Sequence, residues 1–224
     1  MLEFSGDQKK LLKALGLLSG LCLAFYLVRV IVTGSWHFIF VPENLALAWL
    51  ALIFGWVLVN RLKTSPWSSW QNVVLSILWL FFLPNAWYVL TDFVHVGASG
   101  EISQLYDIVM ISSLVFAGFA LGFTSLYMIH REFLRRRSVR WSHSVVAGII
   151  LLSSFAIYLG RDLRWSTWDV VTNPTGVILN VSDQVVDPFG HPRGINVTGL
   201  FFVLLGTLYL AMWLVLEPTK KRAS

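Results

Sequence analysis

A group of polar side chains follows the apolar run that ends at Leu83, and their types are those that bind ligands or transfer protons. An amide, a phenol, a carboxylate and an imidazole come in order at Asn85, Tyr88, Asp92 and His95. At about 100° per residue, an α-helix through this segment would place all four on one narrow face. Because such a face is unfavourable against lipid, it indicates contact with other helices or a water-filled site.

Two residues of this group are candidate metal ligands. Asp92 and His95 have the i, i+3 spacing that lets a carboxylate and an imidazole reach one ion. Two residues do not define a metal site, and a hydrogen bond between them is the more common arrangement. His191 is predicted to be a loop residue and not a third ligand. Cys22 is the single cysteine, so a disulfide framework is excluded, and the sequence gives no firm cofactor signal.

A second polar segment, Gly160–Asp169, follows another apolar stretch and reads GRDLRWSTWD. In a helix, Arg161, Arg164 and Trp168 share one face, and Asp169 lies on a different one. Arginines in such a position need an anionic partner, which is either a carboxylate of the protein or a phosphate or carboxylate of a ligand. The segment is therefore the second candidate site.

The elements that must position these residues are membrane-spanning helices. Apolar residues make up 56% of the chain and charged residues 13%, which is far from the composition of a soluble domain. A helix crosses a hydrocarbon core of about 30 Å with about 20 residues. Six stretches satisfy this requirement: 11–32, 42–59, 72–90, 108–129, 143–160 and 195–216. The predicted fold is all-α, with one six-span membrane domain.

The distribution of lysine and arginine predicts that both termini are cytoplasmic. Of the 17 basic residues, thirteen lie before or at the start of the first span, in the second and fourth links, and in the tail. The four on the other side are Arg29, Arg161, Arg164 and Arg193. The first span is interpreted as a retained signal anchor. Because topology and contact with anionic lipid explain the basic charge, nucleic acid is rejected as a partner.

With this orientation, the unusual polar residues collect at the extracytoplasmic ends of the spans. The ligand-binding candidates are Asn44, Asn85, Tyr88, Asp92, His95, Asp107, Arg161, Arg164, Trp168 and Asp169. Arg29 is expected to reach the interface or to pair with Glu43, and Asp107 to stabilise the positive end of the fourth helix. The cytoplasmic side offers mainly the basic topology signals. A functional pocket is therefore predicted to open outward.

Two prolines predict local features. Pro84 is expected to kink or unwind the third span and to free the carbonyl of Leu80, which Asn85 could satisfy. The link before the sixth span is long, and a short interfacial helix from Pro174 to Asp187 is predicted within it. This helix could cover the polar residues.

Small residues four positions apart predict where helices pack closely. Gly16 and Gly20 form one such pair in the first span, and Gly118 and Gly122 form another in the fourth. Spacings of this kind let two helix backbones approach each other within a membrane. Both pairs are interpreted as packing seams.

Five phrases of the chain resemble those of a known membrane family. They are NLALAW at Asn44–Trp49, LPNAWYVLTD at Leu83–Asp92, Tyr106-Asp107, GFALGFTSLY at Gly118–Tyr127, and GRDLRWSTWD at Gly160–Asp169. The family consists of bacterial multi-pass membrane proteins and is known only as a domain of unknown function. The resemblance covers roughly residues 44–174 and implies a bacterial cytoplasmic membrane. It implies no activity, because fold-level similarity does not transfer function.

Three functions are compatible with these residues. The first is a binding or transport protein whose outward pocket holds a small polar or anionic solute. The second is a membrane enzyme acting on a lipid-linked phosphate at the outer leaflet, with Asp92 or His95 as base and the arginines holding phosphate. The third is a structural or accessory subunit. Binding or transport ranks first, although no inverted repeat supports it. The expected partners are the lipid bilayer and an anionic lipid or small solute.

Overall fold

The computed structural model describes residues 6–97, 102–162 and 192–216, with 172–173, 175–176, 179 and 181–182 from the link before the last helix. The elements are α1 (Gly6–Thr33), α2 (Phe40–Arg61), α3 (Trp70–Phe82), α4 (Asn85–Tyr88), a 3₁₀ helix (Val89–His95), α5 (Gln104–Arg136), α6 (Val139–Asp162) and α7 (Pro192–Leu216). The predicted all-helical class is confirmed. Most of the predicted interfacial helix lies outside the described residues.

Six helical stretches within these ranges are long and apolar enough to cross a membrane. They are Gly6–Thr33, Phe40–Arg61, Trp70–His95, Gln104–Arg136, Val139–Asp162 and Pro192–Leu216. Each contains one of the six stretches predicted from the sequence, so the number of spans is confirmed. The helices extend beyond most of the predicted ends because polar residues continue the helical hydrogen bonding. The cytoplasmic placement of the termini stays a prediction.

The third span is interrupted at Pro84, as predicted. α3 ends at Phe82, and Pro84 has no N–H with which to continue the helical ladder. The side chain of Asn85 donates to the carbonyl of Phe82 at 3.3 Å, two residues beyond the Leu80 carbonyl that was expected. Beyond Tyr88 the chain forms a 3₁₀ helix, so the continuous α-helix through this segment is wrong. A 3₁₀ helix has three residues per turn, which changes the faces on which the polar side chains lie.

The chain divides into two compact units, residues 1–128 and 129–224, and each is described by itself. The boundary falls within α5, and the single-domain organisation stays a prediction. The core of the first unit is built from α1, α2, α5 and the segment after Pro84. Its fully buried side chains include Cys22, Val41, Val89 and Met110. In the second unit, α6 and α7 bury Val146, Ile150, Phe201 and Leu205 among others.

The two glycine pairs differ in their surroundings. A Cβ on Gly118 would lie 2.5 Å from the carbonyl oxygen of Ala86, and one on Gly122 would lie 2.7 Å from Nε1 of Trp87. The second pair is therefore a packing seam between α4 and α5. Gly16 and Gly20 have nothing within 4 Å of a Cβ among the described atoms. The predicted seam on α1 is wrong for this part of the chain, because α1 buries the neighbouring stripe that includes Leu15 and Ser19.

A hydrogen-bonded relay joins three helices in the middle of the first unit. Trp79 Nε1 of α3 donates to Ser125 Oγ of α5 at 2.8 Å. Ser125 Oγ in turn donates to the backbone carbonyl of Ala51 in α2 at 2.9 Å. Gly55 leaves room for this contact, since a Cβ there would lie 2.7 Å from Ser125 Oγ. The relay satisfies two polar side chains that lie within membrane-length helices.

Candidate functional site

The candidate site is centred on a pair of polar residues, Asn44 and Asp92. Asn44 lies in the second turn of α2, and Asp92 lies in the middle of the 3₁₀ helix. Asn44 Nδ2 donates to Asp92 Oδ2 at 2.8 Å. Asp92 is only 3% exposed, and among the described residues this is its one side-chain hydrogen bond. The structure thus brings together two candidates from different spans.

A carboxylate in this setting has unused capacity. It can accept about four hydrogen bonds, and the amide of Asn44 supplies one of them. Burial of a charged carboxylate with one neutral donor is unfavourable, since the ion loses its hydration. Asp92 can lower this penalty by binding a proton, a cation or a hydrogen-bond donor. The pair is therefore an acceptor site, suited to ligands with N–H or O–H groups.

The same two helices also bring Phe40 and His95 together. Phe40 precedes Asn44 by four residues on α2, so both lie on one face. Asp92 and His95 are three residues apart in a 3₁₀ helix, which aligns their side chains. The rings of Phe40 and His95 lie 4.9 Å apart, and His95 is exposed whereas Asp92 is buried. Asn44 of α2 thus contacts Asp92, and Phe40, one turn earlier, contacts His95. These two contacts hold α2 against the 3₁₀ helix.

The metal hypothesis gains no additional ligand from the structure. No group of three or more His, Cys, Asp or Glu residues that could hold a metal ion occurs in the described part of the chain. Asp92 and His95 stay a two-residue proposal. The ring contact of His95 with Phe40 gives this imidazole a packing role.

Arg29 and Asp107 form a buried ion pair. Arg29 Nε donates to Asp107 Oδ1 at 2.8 Å, and Nη2 reaches Oδ2 at 3.5 Å. Both side chains are 1% exposed. The guanidinium carbon of Arg29 also lies 4.2 Å from the ring centre of Phe38. The sequence suggested Glu43 as the partner of Arg29, whereas the ion pair observed is with Asp107.

This ion pair connects α1 to the first turn of α5, and a neighbouring contact strengthens the connection. The hydroxyl of Tyr106 donates to the backbone carbonyl of Phe25 at 2.8 Å, and the two rings lie edge to face at 5.8 Å. Asp107 therefore has an internal partner in addition to the helix N-terminus that was predicted for it. These contacts favour a structural role for Asp107 and Arg29.

The remaining candidates of the first unit lie beside the break in the third span. Asn85 and Tyr88 are half-buried, and Asn85 caps the carbonyl of Phe82. The turn to 3₁₀ geometry after Tyr88 rotates Asp92 and His95 by about 120° from the face that Tyr88 occupies. The four residues do not form the single stripe expected from the sequence.

The second polar segment is described only at its start. Arg161 is exposed on the last turn of α6, and Arg164, Trp168 and Asp169 lie outside the described residues. Asp162 Oδ1 pairs with Arg193 Nη2 of α7 at 2.7 Å. Asp162 Oδ2 is buried and has no hydrogen-bond partner in the described structure. The ion pair joins the end of α6 to the start of α7 within the second unit.

Sequence reasoning missed a cluster of aromatic rings around a buried histidine in the second unit. His130 is 1% exposed, and its Nδ1 lies 2.9 Å from the hydroxyl of Tyr209. Its ring centre is 4.2 Å from that of Trp213 and 4.8 Å from that of His143. The four rings line a cavity of about 150 Å³. The available signal was the i, i+4 spacing of Tyr209 and Trp213, but the basic run around His130 was interpreted only as a topology signal.

A buried carboxylate occurs in the same basic run. Glu132 is 4% exposed and accepts hydrogen bonds from Arg135 Nη1 at 2.7 Å and from Arg136 Nε at 3.4 Å. The predicted cytoplasmic end of α5 therefore contains a buried carboxylate in addition to its arginines. Two of its arginines are held by an internal acceptor on the same helix.

Six apolar helices with buried polar pairs define a polytopic helical membrane protein. Residues 43–212 match the model of a family described as a protein of unknown function, DUF1361. The match covers more than half of the chain, so the chain belongs to this family, and the resemblance found from the sequence phrases is confirmed. The matched range contains Asn44, Asp92 and Asp107. Comparisons with curated proteins and with solved structures gave no match.

Proposed function

We propose that this protein binds a small polar solute at the Asn44–Asp92 pair and acts as a binding or transport protein. The observation that carries the proposal is the environment of Asp92. Its side chain is 3% exposed and accepts one hydrogen bond, from a neutral amide. A purely structural carboxylate at this depth is expected to have a charged partner, as Asp107 has. Asp92 instead keeps acceptor capacity for a ligand.

The charges of the first unit favour a hydrogen-bond donor over an anion. Binding an anion beside Asp92 would bring two negative groups together in a medium of low dielectric constant. Arg29, the basic residue buried in the first unit, is engaged by Asp107. We therefore narrow the solute from polar or anionic to one that carries hydroxyl, amide or ammonium groups.

The position of the pair supports access from outside the cell. Asn44 lies near the start of α2, and Asp92 lies near the end of the third span. Both are distant from the lysine- and arginine-rich segments that predict the cytoplasmic side. We propose a bacterial cytoplasmic membrane with both termini inside, so that the site faces outward.

A structural or accessory role is the second candidate function. It is favoured by the buried pair of Arg29 with Asp107, which connects two helices without needing a ligand. The enzyme function has less support, because the hydrogen bond that Asp92 accepts comes from the neutral amide of Asn44 and not from a guanidinium. Arg29 is engaged elsewhere, and Arg161 is exposed on α6 of the second unit.

The test is a thermal-shift screen of the purified protein in detergent with amino acids, polyamines, polyols, inorganic phosphate and divalent cations. A ligand that binds the folded state raises the midpoint in a dose-dependent manner. We expect stabilisation by a donor-rich solute, its loss in Asp92→Asn, and its retention in Ser112→Ala. Ser112 is a matched control because its hydroxyl donates only to Ile108 of its own helix.

The same variants identify the structural alternative. If Asp92→Asn lowers the midpoint and no solute in the panel stabilises the wild-type protein, the pair connects helices and the solute proposal fails. For a solute that does bind, counterflow of the labelled compound in proteoliposomes distinguishes transport from binding alone.

A further inference from the structure

A groove in the first unit lies between α1, α2 and α5, near the opposite end of these helices from the Asn44–Asp92 pair. Its volume is about 220 Å³, and its walls include Leu11, Leu15, Trp49, Ile53 and Trp56. Leu11 is 42% exposed and Ile53 is 44% exposed, so the rim of the groove is open at the surface of the unit. A groove of this composition, on helices that cross a bilayer, offers carbon surface to lipid chains.

The groove is elongated along the helix axes. Gln8, Leu11 and Leu15 follow one face of α1, while Trp56, Ile53 and Trp49 follow α2. From Gln8 to Leu15 a helix rises about 10 Å at about 1.5 Å per residue. Helices that cross a bilayer run within about 20° of its normal on average, and acyl chains extend along the same direction. The shape suits a linear chain better than a compact solute.

At the inner end of the groove, the indole N–H of Trp49 already has a hydrogen-bond partner. Trp49 Nε1 donates to Ser19 Oγ at 3.0 Å, so the indole contributes its apolar surface to the wall. The walls therefore contain few polar groups that could replace the hydration of a polar ligand. An occupant must bring apolar surface to gain free energy there.

The helix ends at the outer end of the groove carry exposed positive charge. Lys9, Lys10 and Lys13 follow Gln8 in the first turns of α1, and Lys63 follows the end of α2. Among the described residues at this end of α1, Asp7 is acidic, and its carboxylate lies 3.9 Å from Lys10 Nζ in an exposed pair. Such a pair contributes little, so the positive charge stays available to an anionic group.

We propose that this groove binds one acyl chain of an anionic glycerophospholipid, whose phosphate headgroup contacts Lys9 and Lys13. The apolar walls select the chain, and the lysines select the headgroup. The site is independent of the solute site proposed above, because it uses the other end of α2 together with residues of α1 and α5, which the solute site does not include. Each site can fail without affecting the other.

The experiment compares lipids that share either the chain or the charge. The unfolding midpoint of the detergent-purified protein is measured with dioleoyl phosphatidylglycerol, dioleoyl phosphatidylcholine and soluble glycerol phosphate. We expect a dose-dependent rise with phosphatidylglycerol, a smaller rise with phosphatidylcholine and none with glycerol phosphate. Equal shifts with the two lipids, or a shift with glycerol phosphate alone, would overturn the proposal.

Variants locate the site. Thr124→Phe places a ring in the groove and should abolish the lipid-dependent shift. Leu17→Phe is the matched control, since Leu17 is 75% exposed on α1 and lies outside the groove. The double variant Lys9→Gln with Lys13→Gln should reduce the phosphatidylglycerol shift to that of phosphatidylcholine. A full shift in folded Thr124→Phe would contradict the assignment of the chain to this groove.

A second measurement keeps the proposal testable if Thr124→Phe does not fold. Phosphatidylglycerol with brominated chains quenches tryptophans that contact the chain. At one lipid per protein, the quenched fraction should fall in Trp56→Phe and stay unchanged in Trp70→Phe, because Trp70 is 72% exposed and lies outside the groove. Equal quenching in both variants would show that the lipid binds elsewhere.

Discussion

Replacing Asp107 by asparagine removes the negative charge that faces the guanidinium of Arg29 in the first unit. Both side chains are 1% exposed, and the shorter of the two contacts is 2.8 Å, so neither group has water as an alternative partner. Asparagine keeps the size of the aspartate and can still accept one hydrogen bond. The change therefore tests the charge and not the packing.

The magnitude follows from this burial. Removal of one partner from a buried ion pair destabilises a protein by about 3–5 kcal/mol, because an uncompensated charge stays buried. For a chain of this length, each kcal/mol lowers the midpoint by about 2–4 °C. Asp107→Asn is therefore expected to lower the midpoint by about 6–20 °C. Arg29→Met combined with Asp107→Leu should recover most of this loss, since replacing both charges by apolar groups is often neutral or stabilising.

The assay is thermal unfolding in detergent, with the two single variants and the double variant compared as a cycle. Ser112→Ala on the same helix serves as the control and should change the free energy of unfolding by less than about 0.5 kcal/mol. A loss below about 1 kcal/mol for Asp107→Asn would refute the reasoning, because it would mean that the pair is hydrated.

Three further changes have expected outcomes in the same assay. Asn44→Ala removes the one donor to Asp92 and should destabilise the protein by about 1–3 kcal/mol, whereas unchanged stability would show that water replaces the amide. Gly118→Ala forces a Cβ against the carbonyl of Ala86 and should cost about 1–3 kcal/mol, while Gly16→Ala should be neutral or slightly stabilising. Tyr209→Phe removes the hydroxyl that bonds to Nδ1 of the buried His130 and should also cost about 1–3 kcal/mol; an unchanged midpoint would contradict a structural role for this bond.

The six spans could be predicted because the thickness of a bilayer sets a fixed length for an apolar helix. The break at Pro84 was also predictable, since proline removes a backbone donor wherever it occurs. The geometry of the chain beyond the break could not be predicted. The 3₁₀ helix Val89–His95 accompanies the contacts that Asp92 and His95 make with α2, and such contacts have no local signal.

The choice of partners was harder to predict than the presence of the helices. Arg29 could be matched with Glu43 or Asp107 by sequence alone, because the rotation of one helix about its axis relative to another is set by packing. The glycine pairs give the same lesson. Gly118 lies against α4 and Gly16 lies against nothing described, although both belong to the same motif.

The relay through Ser125 has a consequence for the order of assembly during synthesis. Trp79 of α3 and Ala51 of α2 both bond to this hydroxyl, which belongs to a helix that leaves the ribosome after them. α2 and α3 therefore enter the membrane before the hydrogen bonds to Ser125 can form, because these bonds require α5. Interhelical hydrogen bonds in membranes contribute about 0.6 kcal/mol on average, so their absence destabilises α2 and α3 only slightly until α5 is inserted. Once α5 is inserted, one hydroxyl bonds to both of the other helices, so the rotation of each about its axis becomes coupled to that of α5.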